Sequence, residues 1–205
     1  MKAELNQILN NRKLTLASSS PRRAQILRKE NIEFKVIPPE DIQEKDVSSD
    51  PVEHVLELSR RKAKSVIKKV KEGLILGADT IVVLDVEILG KPIDEKDAQR
   101  ILKKLSGKTH RVYTGLTLMN RSNGKILSDY DCTEVKFNDL EEKEIRNYIK
   151  TGEPMDKAGA YGIQGMGSFL VDHIKGNLDN VIGLPMKKFR ETLKNINQDI
   201  LSEKQ

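Results

Sequence analysis

The chain contains one cysteine, Cys132, no tryptophan, and only 4% aromatic residues. A single cysteine excludes an internal disulfide and a cysteine-based zinc cluster. Its alternating, strand-like surroundings make it structural rather than nucleophilic. His54, His110 and His173 lack metal-ligand spacing and read as surface or internally satisfied histidines. No apolar run approaches the ~20 residues a membrane-spanning helix needs. Met1 to Leu16 is too polar for a secretory signal, so a cytoplasmic protein with no membrane partner is expected. Both common nucleotide loops are missing: there is no Walker Gly-Lys-Ser/Thr and no Gly-x-Gly-x-x-Gly.

What remains is a Lys-rich globular composition. The 205 residues are 37% hydrophobic and 33% charged, enough for one medium domain or two small lobes around a shared cleft. The net charge of +5 permits nucleic-acid binding without demanding it. Many lysines neighbour glutamates, as in LEEKEIRNYIK, which reads as a solvated helix face. With no RNA-binding aromatic signature or basic tail, nucleic acid is the minority reading.

The pattern of elements is α/β with a mixed sheet. KLTLAS and NIEFKVIP read as strands, separated by a helix from Pro21 to about Glu30. Proline suits the first helical position because its missing N–H has no partner there. A long helix is expected over Asp50–Lys71, with Asp50 and Glu53 at its start and Lys62 on the edge of its apolar stripe. GLILGADTIVVLD reads as a strand buried on both faces, with VEIL as its hairpin return. A helix closing at Gly107, a hairpin around Asn123-Gly124, a helix ending at Gly152, and a last helix from about Pro185 follow.

Four constellations carry chemistry. LASSSPRRAQIL has two readings: Ser20 caps a helix beside solvent-facing arginines, or serines, guanidinium forks and a helix N-terminus form a phosphate socket. Two arginines in a first helical turn oppose the helix dipole, which favours the socket. Asp79, in LGADT, is either a strand-terminal cap or a metal ligand or general base at a strand end. Glu44 and Asp41 lie in a polar loop, where either acid could share Mg²⁺ or Mn²⁺ with Asp79. Lys62 and Lys91 are further candidate phosphate ligands. In AGAYGIQGMGS, glycines signal tight turns or close backbone approach, and Gln164 could present its amide to a base edge.

These residues also carry a resemblance. LASSSPRRAQIL, SRRKAKSV, LGADTIVVLD, LGKPIDEKDAQRILKKLSGKTHRVYTG and GEPMDKAGAYGIQGMGSFLV, in order from about Leu14 to Pro185, resemble the Maf family of nucleoside triphosphate pyrophosphatases. The resemblance implies an inosine triphosphatase-like fold: a central mixed β-sheet flanked by helices, with two lobes and an active-site cleft between them. It implies one Maf-like domain over 1–205 with an N-terminal extension over 1–12. It further implies cleavage between the α and β phosphates with a divalent cation, Mg²⁺ or Mn²⁺.

Carried over by motif, Ser18, Ser20, Arg22, Arg23, Lys62 and Lys91 bind substrate phosphates, and Asp79 is catalytic. Asp79 and Glu44 hold the metal, with Asp41 as an alternative register for Glu44. Arg22, Thr80 and Gln164 discriminate substrates. Gln164, where another branch has glutamate, resembles the branch acting on dTTP and UTP, and a homodimer is the family-level expectation. The alternatives are a pyrophosphatase for 7-methyl-GTP or other modified nucleotides, and a non-catalytic nucleic-acid-binding or cell-division regulator.

Overall fold

The computed structural model describes residues 2–9, 12–40, 42 and 47–202. Asp41 and Glu44 lie outside the described residues. Seven strands form one mixed sheet in the order β2-β1-β3-β5-β6-β7, with β4 paired to β3 alone. The strands are β1 (Leu14–Ala17), β2 (Phe34–Val36), β3 (Leu74–Leu84), β4 (Glu87–Leu89), β5 (Thr109–Asn120), β6 (Ile126–Phe137) and β7 (Val171–Lys175). β1 runs parallel to β2 and β3, whereas β4 is antiparallel to β3 and β7 to β6. The expected α/β class with a central mixed sheet flanked by helices is what the chain adopts.

The chain divides into two compact units. The first comprises Met1–Asp79, Thr114–Asp131 and Gly183–Gln205. It contains β1, β2, α1 (Lys2–Leu9), α2 (Pro21–Lys29), α3 (Pro51–Ser65) and α7 (Met186–Ser202). Asp50 caps α3 as its sequence suggested, accepting hydrogen bonds from the Val52 and Glu53 amides at 2.9 Å each. α3 is shorter than expected: it stops at Ser65, and Ile67–Lys69 form a 3₁₀ turn. Val66 and Val70 are still buried, so the apolar stripe continues through a tighter turn. The residues before β1 form α1, which packs on α7 with Leu5 and Leu9 buried, and Asn197 Nδ2 donates to Ile8 O at 2.6 Å.

The second unit comprises Thr80–Tyr113 and Cys132–Ile182. It contains β4, β7, α4 (Glu95–Leu105), α5 (Glu142–Lys150) and α6 (Leu178–Ile182). Its core includes Leu102, Phe137, Ile145, Tyr148, Tyr161 and Leu170. His110 is an internal histidine here, 2% exposed, packed edge-on against Phe137 and Tyr161, with Nε2 at 2.8 Å from the Tyr161 hydroxyl. Burial lowers its pKa to about 4, below the ordinary 6.5.

The unfolded chain therefore binds a proton at His110 between pH 6.5 and 4 that the folded chain does not. The contribution is complete above pH 6.5 and lost as pH falls through that window, on the order of 3 kcal/mol in all. The urea midpoint of the wild-type protein should fall relative to that of His110→Phe as pH falls from 6.5 to 4. Parallel curves would contradict the assignment.

Candidate active site

β1 is buried along its whole length and ends at Ala17, and α2 starts at Pro21. The three serines between them do not act as a conventional cap. Ser20 occupies the N-cap position, but its side chain makes no capping hydrogen bond. Instead the Ser18 hydroxyl, 2% exposed, accepts from the Ser20 amide and from Arg23 Nη1, both at 3.1 Å. Arg23 is 8% exposed and donates from Nε to Gly183 O at 2.8 Å. Desolvation lowers the Arg23 pKa, the neighbouring Asp79 charge opposes that shift, and Arg22 adds to it. An arginine stays charged under such shifts, so the socket retains a buried, hydrogen-bonded guanidinium. Arg22, one residue earlier in the first turn of α2, is half-buried.

Asp79 is not strand-terminal. β3 continues to Leu84, and the hairpin turn comes at Asp85, whose φ of 54° marks the left-handed region. What ends near Asp79 is the strand's parallel partner: the last β1–β3 register pair is Ala17 with Gly77. Asp79 thus lies just beyond the carboxyl end of β1, where open α/β sheets tend to place their ligands. The strand-capping alternative does not describe it. Its Oδ1 accepts from Lys62 Nζ at 2.5 Å, and their side chains are only 9% and 14% exposed. Its Oδ2 is buried with no hydrogen-bond partner among the described residues.

Lys62 reaches Asp79 because α3 lies directly on the sheet. A Cβ on Gly77 would be 2.2 Å from Ser59 O and 2.7 Å from Ala63 N, and one on Gly115 would be 2.4 Å from Val55 O. Two glycines therefore admit the helix backbone. A hydroxyl chain pins the same face: Ser59 Oγ lies 2.8 Å from Thr117 Oγ1, which lies 2.8 Å from Ser128 Oγ.

The first unit thus gathers Ser18, Arg23, Lys62 and Asp79, with Ser20 and Arg22 beside them at the start of α2. The other described sequence candidates belong to the second unit. Thr80 is half-buried in β3. Lys91 is exposed in the loop after β4, where Gly90 O accepts from the Gly159 amide at 3.0 Å. Gln164 is exposed at the N-terminal edge of a 3₁₀ segment over Gly165–Leu170. Sequence reasoning missed Gly183, whose carbonyl orients Arg23 and which nothing in its neighbourhood singles out. It also missed Gly77 and Gly115, although a glycine inside a buried strand signals close backbone approach.

A cation fits part of this arrangement. The unpartnered Asp79 Oδ2 is a hard anionic oxygen of the kind Mg²⁺ and Mn²⁺ prefer. No group of three or more His, Cys, Asp or Glu residues capable of holding a metal occurs among the described residues. Glu44, the sequence candidate for a second carboxylate ligand, lies outside them.

A family model described as "Maf-like protein" matches residues 13–196. This chain belongs to the Maf family. Among its relatives is a protein named dTTP/UTP pyrophosphatase from Ruminiclostridium cellulolyticum, 46% identical over 93% of this chain and 99% of its own length. Proteins of the same name from Clostridium perfringens and Aquifex aeolicus are 47% and 48% identical, over 92% and 90% of this Maf chain and 100% and 96% of their own lengths. A solved structure titled "The structure of the Staphylococcus aureus Ham1 protein" aligns with 94% of this chain and 100% of its own. Its identity of 12% and TM-score of 0.46 make that likeness too distant to carry a conclusion. No helix among the described residues is long and apolar enough to cross a membrane.

Proposed function

We propose that this Maf protein is a nucleoside triphosphate pyrophosphatase. It hydrolyses the bond between the α and β phosphates of dTTP and UTP, giving the nucleoside monophosphate and pyrophosphate. The observation that carries the reading is Asp79: a buried carboxylate, paired through one oxygen with Lys62, unpartnered at the other among the described residues, and close enough to feel the buried Arg23 charge. The pyrimidine substrates follow from relatives named dTTP/UTP pyrophosphatase at 46–48% identity.

The roles follow from charge. Hydrolysis at the α phosphorus builds negative charge on the departing pyrophosphate, and fixed cations in a dry site stabilise that charge strongly. Arg22, Arg23, Lys62 and Lys91 are assigned to the phosphates, with Ser18 and Ser20 lining the socket. Asp79 holds the attacking water in line and receives its proton. Asp79 Oδ2 and Glu44 would hold a divalent cation, Mg²⁺ or Mn²⁺, which supplies Lewis acidity at the phosphate oxygens when bound. Arg22, Thr80 and Gln164 are assigned to substrate choice. The enzyme is proposed to be cytoplasmic and homodimeric, the latter checked by sedimentation.

The test is a nucleotide panel with Mg²⁺ or Mn²⁺ and product identification. Monophosphate plus pyrophosphate from dTTP and UTP supports the proposal. Diphosphate plus orthophosphate overturns the reaction type, preference for 7-methyl-GTP moves the chain to another branch, and salt-dependent DNA binding without turnover favours a regulator.

A further inference from the structure

Gln164 sits on a turn that does not hold itself together. No hydrogen bond from its own side chain is made among the described residues. The turn is anchored instead from both sides by two side chains near the end of α5. The Gly162 amide donates to the Tyr148 hydroxyl at 3.0 Å, and that hydroxyl donates to Glu153 Oε1 at 3.1 Å. On the other side of Gln164, the Met166 amide donates to Glu153 Oε2 at 3.0 Å. The phenol thus holds the backbone two residues before Gln164, Glu153 Oε2 holds it two residues after, and Oε1 ties the two anchors together.

The surrounding sequence is shaped to this anchor. A Cβ on Gly162 would fall 2.7 Å from Glu153 Oε1, and Gly165 holds a φ of +84° with Glu153 Oε2 3.3 Å from where its Cβ would be. Tyr148 is 2% exposed, and burial raises its pKa above the ordinary phenol value, keeping the proton with which it donates to Glu153. Glu153 itself is only half-buried. Lys157 Nζ closes the loop by donating to Glu153 O at 2.6 Å. A carboxylate that the fold needed only for solubility would not accept from a backbone amide and from a buried phenol that itself holds a second amide.

We propose that Glu153 and Tyr148 are positioning residues for base discrimination: together they fix the turn that presents the Gln164 amide to the substrate base. The inference rests on the reading of Gln164 as the side chain that meets the base. An amide distinguishes uracil from cytosine only if its donor and acceptor are held in register with the base edge. Loosening the turn therefore removes discrimination before it removes hydrolysis.

The test measures kcat and KM for UTP, dTTP and CTP in the wild-type enzyme and in Glu153→Ala, Glu153→Gln, Tyr148→Phe and Gln164→Ala, with thermal midpoints alongside. Glu153→Ala should reduce the kcat/KM preference for UTP over CTP by about tenfold, the equivalent of one charge-assisted hydrogen bond. The change should lie mainly in KM. Glu153→Gln keeps a carbonyl acceptor for the Met166 amide and should restore most of the preference. Tyr148→Phe keeps the buried ring and should shift the preference in the same direction by a smaller factor.

If Gln164→Ala changes the preference and neither Glu153→Ala nor Tyr148→Phe does, the positioning role is wrong even if those variants melt earlier. If Gln164→Ala leaves the preference unchanged, the base-reading role of Gln164 fails first, and the inference fails with it.

Discussion

Asp79→Asn is expected to lower kcat for UTP by at least about 10²–10³-fold, the loss typical of removing one preorganised electrostatic group from a water-poor site. The substitution keeps shape and volume and removes charge. Asparagine can offer its one carbonyl oxygen to Lys62 or leave it facing the Oδ2 position, but it cannot do both as an anion. It also removes the negative charge that pairs with Lys62 and reaches the buried Arg23, in surroundings where losing one charge of a pair is costly. The loss should persist at saturating Mg²⁺ or Mn²⁺, while the circular dichroism spectrum is retained. Activity within threefold of wild type under those conditions would remove Asp79 from the chemistry.

Gly77→Ala should be a severely damaging single-methyl change in the first unit. The new Cβ would meet Ser59 O at 2.2 Å, Ala63 N at 2.7 Å and Ala63 Cβ at 3.0 Å. Two of these atoms belong to the helix backbone and the third sits directly on it, so no flexible side chain can yield. α3 must lift from β3. Overpacking of this kind costs about 1–3 kcal/mol, a fall of roughly 2–12 °C in thermal midpoint for a chain of this size. Lifting α3 also draws Lys62 away from Asp79, so kcat should fall together with stability. Gly90→Ala, whose Cβ would meet nothing within 4 Å, is the matched control and should melt with the wild type. Equal midpoints for the two variants would contradict the seating of α3 on Gly77.

Local signals in the sequence marked most elements. The continuous apolar run over Leu74–Leu84 is one strand, buried at ten of its eleven positions. Asn123-Gly124 turns the β5–β6 hairpin, with Gly124 at φ 73° and its amide on Asn120 O at 2.9 Å. Helix starts at Pro21 and Asp50 were legible because proline at N1 and an Asx cap act within three residues.

Features set by distant partners were not legible. Asp79 looked strand-terminal because it interrupts an apolar run, but a strand ends where its pairing ends, and β3 gains β4 as a partner from Val82 onward. The end of α3 was overestimated because a 3₁₀ turn keeps the apolar stripe in contact with the core.

The candidate site shows the same division. The proposed phosphate socket and the proposed catalytic carboxylate stood out as local anomalies: arginines at a helix start, and an acid in an apolar strand. Their partners did not. Gly183 lies 160 positions from the Arg23 it orients, and Glu153, following a helix-ending glycine, reads as an ordinary solvated acid until the turn over Gly162–Met166 folds around it. The residues before β1 were expected only as an N-terminal extension. They form α1, whose Leu5 is completely buried.

In the proposed reaction water attacks the α phosphorus and pyrophosphate departs. Hydrolysis of UTP in ¹⁸O-labelled water, followed by mass analysis of both products, tests it most directly. One labelled oxygen is expected in the nucleoside monophosphate and none in pyrophosphate. Label in pyrophosphate would mean attack at the β phosphorus, and label in released orthophosphate would mean that the terminal phosphate is the one removed. Either result would contradict the role assigned to Asp79.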